Sequence, residues 1–157
     1  MSCGRLLAPT PPYDVYRDFA AITNMLSVPY LLLVRPGAGI NSVQDLVALA
    51  KQKPGTLNYG SAGTGSTAHL AAAMFVSMAG IDVVHVPYKG SAQAATELIG
   101  GQLQFVFEAI AGGAQYVRSG QLRALGTSTL KRTTILPDLP TISEAGVPGF
   151  EVSTWHA

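Results

Sequence analysis

The chain has 157 residues, 48% hydrophobic and 12% charged, and ten Lys and Arg against nine Asp and Glu give a formal net charge of +1. That is the length of about one ordinary domain, long enough to bury a real core, and the composition excludes a disordered chain. Its scattered basic residues form neither a nucleic-acid stripe nor a polybasic membrane patch, and no window reaches the roughly 18 apolar residues of a membrane span.

In chain order, "MSCGRLLAPTPP" carries one Arg and no apolar h-region, so as written it is not expected to be a signal peptide. Cys3, the single cysteine, excludes an internal disulfide and a cysteine zinc site. "PYLLLV" (29–34) is a proline-bounded apolar run, the pattern of a buried strand. After "RPGAG", the stretch "NSVQDLVALAKQK" reads as a helix with Asn41 or Ser42 as N-cap. "TLNYG" and "HLAAAMFVSMAG" make a second strand-helix step, closed by Gly80. "DVVHV" with "PYKGSAQAATELIGG", then "LQFVF" with "EAIAGGAQYVRSG", make a third and a fourth, and "LRALGTST" supplies a fifth strand. In the proline-rich stretch that follows, Thr141 and Glu144 have capping-box spacing and predict a short helix. Strands alternating with helices imply an α/β fold in three layers: a parallel sheet, mixed at its edge, with helices on both faces.

The stretch "YGSAGTGSTAHLAAAMF" (59–75) joins the second strand to its helix, at the carboxyl edge where open α/β sheets bind ligands. The amides of Thr64, Gly65, Ser66 and Thr67 are expected to be unpaired donors, and the helix dipole adds roughly half a positive charge. That combination suits an anion. Glycines at 60, 63 and 65 permit close approach or positive φ, while Ser61, Thr64, Ser66 and Thr67 add hydroxyl donors. A plainer alternative makes Ser66 an N-cap and the glycines a tight turn.

Sharper motifs compete for the same residues. Gly63, Gly65 and Ala68 satisfy the G-x-G-x-x-A fingerprint of a dinucleotide-binding oxidoreductase, yet the next strand ends in Pro87 and Tyr88 without the acid that would hold the ribose. Gly65-Ser66 cannot make a P-loop, and no G-x-S-x-G elbow occurs. Ser66 and His69 can touch on one helix, but no nearby acid orients the imidazole. His69, His85 and His156 lack metal-ligand spacing, so no metal site, no cofactor and no catalysis are expected.

The following loop, "HVPYKG", presents Tyr88 and Lys89 and delivers Gly90 and Ser91 to another helix N-terminus. Lys89 can pair with a carboxylate or simply be solvated, and Tyr88 can stack or donate. Glu108, at the end of the fourth strand, either holds a ligand ammonium or hydroxyl or caps the next helix.

Taken together, "LNYGSAGTGSTAHLAAAMF", "VVHVPYKGSAQAATELIGGQLQFVFE" and "GQLRALGTSTLKRTTILPDLPTISEAGVPGFEVSTW" resemble the Bug family, the TctC-type extracytoplasmic receptors of tripartite tricarboxylate transporters, and the resemblance runs from Tyr13 to Ala157. It implies one lobe of a type II periplasmic-binding-protein-like fold that holds a small organic carboxylate, with transporter subunits as partners and a periplasmic location. It further implies that Ser61 to Thr67 (with Gly63, Thr64, Gly65 and Ser66) hold the carboxylate, that His69 follows the loop, and that Tyr88, Lys89, Gly90 and Ser91 form a second loop. Glu108 stands where that motif more usually has Asp. Since such receptors are about twice this length, the resemblance divides the chain into a first-lobe remnant (1–26), the ligand-binding lobe (27–126) and a returning first-lobe segment (127–157). A lobe in that state could also survive as a structural fragment that no longer binds. Exposed Leu136, Leu139, Ile142, Val147, Phe150 and Trp155 on the returning segment are then expected to favour a homo-oligomer.

Overall fold

The apolar run around Leu31 forms a long strand, as its lack of alternation requires when both faces are covered. In the computed structural model, which describes residues 17–18 and 26–156, this β1 spans Leu26–Val34, and Leu31, Leu32, Leu33 and Val34 are fully buried. There follow α1 (Val43–Gln52), β2 (Asn58–Ser61), α2 (Thr67–Ala79), β3 (Val84–Pro87), α3 (Ser91–Gly100), β4 (Phe105–Ala109), α4 (Ile110–Arg118), β5 (Arg123–Thr127) and β6 (Ser153–His156). Cys3, the opening "MSCGRLLAPTP" and most of "PYDVYRDF" lie outside the described residues. Residues Val28–Thr154 make one compact unit, and Leu26, Ser27, Trp155 and His156 fall outside it.

Local chemistry sets the helix ends. Ser42 is the N-cap of α1: its Oγ accepts the Asp45 N–H at 3.0 Å, and Asp45 Oδ2 accepts the Asn41 N–H at 3.0 Å. α2 stops at Gly80, whose left-handed φ of 60° lets its N–H turn back to Ser77 O.

The sheet runs β3-β2-β4-β1-β5, with β6 also paired to β1. β2 is parallel to β3 and β4, whereas β1 is antiparallel to both β4 and β5. The mixing therefore lies inside the sheet and not at its edge, which corrects the expectation. Val34 and Tyr59 both oppose Phe105, so α1 leaves and returns at one edge of the sheet instead of carrying the chain back across it.

Strand alternation sorts side chains into two cores. On one face Leu32, Val34, Phe105 and Phe107 pack under α1 and α2 through Val43, Leu46, Ala71, Ala72 and Phe75. On the other, Leu31, Leu33 and Val106 pack under α3 and α4 through Ala94, Leu98 and Ile110. Gly60 fits where α3, β4 and the turn between them crowd β2, since a Cβ there would stand 2.5 Å from Leu103 Cδ1 and 3.3 Å from both Ala94 Cβ and Val106 Cγ1.

The chain after β5 is not a loose piece. Thr127 N–H donates to Pro140 O, Ile142 N–H to Thr127 O, and Val152 N–H to Ser128 O. Ile142, Val147 and Phe150 are buried in the first core, and Leu136 and Leu139 are partly buried against the second, so their expected exposure is overturned. Trp155 is 52% exposed. The Thr141–Glu144 capping box forms, with both bonds at 3.0 Å, but it closes turns and no helix follows. Gly146, at φ +120°, and Pro148 stop propagation after one turn.

Candidate ligand-binding site

Because β3, β2 and β4 lie side by side and parallel, their carboxyl ends share one edge, and each opens into a helix: β2 into α2, β3 into α3, β4 into α4. This brings together the three stretches singled out in the sequence. The loop of 61–67 meets that of 87–91 through the Tyr88 N–H, which donates to Ser61 O at 3.0 Å. The Ser91 side chain lies beside the Glu108 carboxyl, which brings the second loop up to β4.

Within the first loop, Gly63 and Gly65 take φ of 128° and 82°, where a Cβ would be strained. Ser66 is the N-cap of α2; its Oγ accepts the His69 N–H at 3.2 Å and donates to Gly63 O at 2.7 Å. Two of the four amides expected to be free are in fact paired, the Gly65 N–H with His69 Nδ1 and the Ser66 N–H with Gly63 O, each at 3.2 Å. The loop tightens on itself because positive φ at the glycines folds it back over the α2 terminus. The amides of Thr64, Thr67 and Ala68 have no protein acceptor among the described residues.

Behind this loop stands a stack that the sequence reading did not assemble. His85 lies between His69 (ring centroids 4.1 Å apart) and Tyr59 (4.9 Å), and Tyr59 in turn stacks on Phe105 at 5.4 Å. Ser61 Oγ lies 2.7 Å from His85 Nε2. Burial, and secondarily the charge of His69, hold His85 below the usual imidazole range. Parallel register was the available signal: Tyr59 and His85 are directly paired, and Ser61 follows Tyr59 on the same face.

The second loop is more open. Lys89 is exposed, and its N–H donates to Gln93 Oε1 at 3.4 Å. Gly90, the N-cap residue of α3, offers no side-chain cap. Burial, with a smaller push from Glu97, raises the Tyr88 phenol. Glu108 is buried, and Gly112 clears space for it, since a Cβ there would lie 3.1 Å from Oε1. α4 has Ala109 as N-cap with no side-chain cap bond, so Glu108 is not its cap. Burial lifts the Glu108 carboxyl above its ordinary range, opposed by the neighbouring Ser91 hydroxyl and the Ala109 backbone. A carboxyl raised on folding adds stability that is present below its unfolded pKa and lost as pH rises through the folded value. Glu108→Gln, which cannot ionise, should therefore gain on the parent protein as pH rises from about 4 to 7, as read by urea melts at both ends of that window.

The TctC profile, described as "Tripartite tricarboxylate transporter family receptor", matches residues 7–157. The chain belongs to this receptor family. A relative named for the tcbD-tcbE intergenic region of Pseudomonas sp. strain P51 is 36% identical over 152 residues, covering 96% of this chain and 45% of the relative. Among solved structures, R. palustris Rpa4515 with adipate aligns with a TM-score of 0.86 at 38% identity, over 94% of this chain and 49% of that one. MatC from Rhodopseudomonas palustris with bound malate aligns with a TM-score of 0.85 at 27% identity, over 98% and 52%. The chain thus spans about half the length of the relatives it matches.

Members of this family are receptors, and one contact in this chain needs explaining against that background. Ser61 and His85 stand at the distance of a nucleophile and its base, a pairing the sequence reading did not find. Yet Ser61 is 1% exposed, and its hydroxyl is engaged with the Gly63 backbone at 3.1 and 3.2 Å. The pair holds the loop in shape. Among the described residues no three His, Cys, Asp or Glu side chains converge as a metal set.

Proposed function

We propose that the chain is the ligand-holding lobe of a periplasmic solute receptor that takes a small organic carboxylate at the shared edge of β2, β3 and β4 and presents it to tripartite transporter subunits. The observation that carries this reading is the convergence of three helix N-termini on one edge, with the amides of Thr64, Thr67 and Ala68 unspent at the first of them. Donors of this kind suit an anion, and each bond to an ionised acceptor contributes about 1.5–3 kcal/mol. The structural neighbours bound to adipate and malate support the same ligand class. In this reading Ser61, Gly63 and Gly65 shape the loop and Thr64, Ser66 and Thr67 line it. His69, Tyr88, Gly90, Ser91 and Glu108 border it, and Lys89 adds long-range attraction.

Isothermal calorimetry with adipate and malate, and with NAD as a control, tests the assignment. Heat with either acid and none with NAD is the expected result; binding of NAD alone would replace the reading with a dinucleotide site. Lys89→Met should weaken binding and flatten its dependence on salt between about 0.01 and 0.15 M, because an exposed ammonium acts through a screened field. An unchanged salt slope would return Lys89 to the solvated surface.

A further inference from the structure

The stacked imidazoles stand directly behind the loop, and one of them is wired to its backbone. His69 Nδ1 accepts the Gly65 N–H at 3.2 Å, so that nitrogen is unprotonated in this arrangement and Nε2 carries the ring proton. The two rings lie 4.1 Å apart and 25° from parallel, too close for both to be charged. We infer that His69 is a proton-operated latch on the ligand loop: protonation at Nδ1 turns its acceptor into a donor, releases the Gly65 amide and leaves a positive charge beside the α2 N-terminus. An anion entering there meets one more free N–H and a cation, so anion and proton are taken up together. This rests on the carboxylate-binding reading above.

The surroundings favour a single proton on the pair. Burial disfavours charge on His85, and its Nε2 is already engaged by Ser61. α2 contains no other titratable side chain, β2 contributes only Tyr59, and β3 contributes none besides His85. From β4, Phe105 backs the stack, while the Glu108 side chain lies against Gly112 and Gly113 of α4, in the layer of the opposite face. Lys89 is exposed beyond the end of β3, and Asp82 sits near Gly55 before β3 begins. No carboxylate on these elements faces the rings to hold a second proton. An anion at the α2 N-terminus and a proton on His69 attract each other, which is what couples the two events.

Two measurements test the latch, the first without ligand. In an NMR titration of the free chain between about pH 5 and 8, the Gly65 amide and the His69 ring should shift with one common midpoint. His69→Gln should abolish the Gly65 transition. A Gly65 amide that stays still while His69 titrates overturns the inference, and the wild-type titration decides this even if the variant does not fold. In calorimetry, adipate affinity should rise about tenfold from pH 8 to pH 6, with proton uptake visible as a difference between buffers of unlike ionisation heat. Binding that is the same at both pH values, with no buffer dependence, sinks the latch and leaves the receptor reading intact. No adipate or malate binding at any pH sinks the receptor reading, while the amide titration still decides the latch.

Discussion

Phe150→Ala is expected to lower the free energy of unfolding by about 3–5 kcal/mol, the range for emptying a large aromatic from a well-packed core. Phe150 is fully buried, 5.7 Å from Phe107 and 6.1 Å from Phe75 between ring centroids, and neither neighbour can collapse into the gap without leaving its own partners. Phe75 also meets Phe105 at 5.9 Å, so the loss propagates through four rings. Chemical denaturation of the parent and the variant measures it. A cost under about 1 kcal/mol would mean that the stretch beyond β5 is dispensable packing, contrary to the burial of Ile142 and Val147 beside it.

Gly65→Val is expected to remove carboxylate binding. Gly65 sits at φ 82°, a region in which a β-branched residue costs about 1–2 kcal/mol, and the cheapest relief is to swing the peptide and pull the Gly65 N–H away from His69 Nδ1. That motion drags Thr64 and Ser66 with it, and so displaces the unpaired Thr64 amide and the cap of α2 together. Calorimetry with adipate at neutral pH should show at least a hundredfold loss, the cost of about two displaced charge-assisted bonds. Full retention of affinity would show that the anion binds elsewhere. A melting temperature that falls by only a few degrees would separate loop damage from unfolding.

How much of this was readable in advance depends on which physical signal was local. Ser42 before an amphipathic helix and Gly80 after an apolar one announce themselves by side-chain chemistry within four positions, and both mark real ends. The loop at 61–67 was legible because a glycine-rich strand-to-helix junction carries its geometry in its own composition. The direction of β1 was not, since apolar run length says a strand is buried without saying which way its neighbours point. The pairing of Val34 and Tyr59 with one residue, Phe105, exists only in three dimensions. His85 was missed for a related reason: one imidazole on a short strand has no local meaning until the adjacent strand brings Tyr59 into register and α2 lays His69 over it. Thr141 and Glu144 made the opposite error possible, because their mutual bonds are local and real while the helix they announce is vetoed a few residues later by Gly146 and Pro148.

The placement of β1 also sets the order in which the molecule can be made. β2, α2 and β3 are near neighbours in sequence and can pair as soon as they leave the ribosome. β1, emerging earlier, must wait: its ladder partners are β4, β5 and β6, and the Tyr30 N–H bonds a serine hydroxyl 98 positions further on. Loop closures of that span are entropically slow. Until Phe105–Thr127 has been synthesised, the buried leucines of β1 have neither strand edge satisfied. A nascent chain halted near Gly100 therefore presents an unpaired strand ending in a run of leucines, the segment on which a chaperone would first take hold.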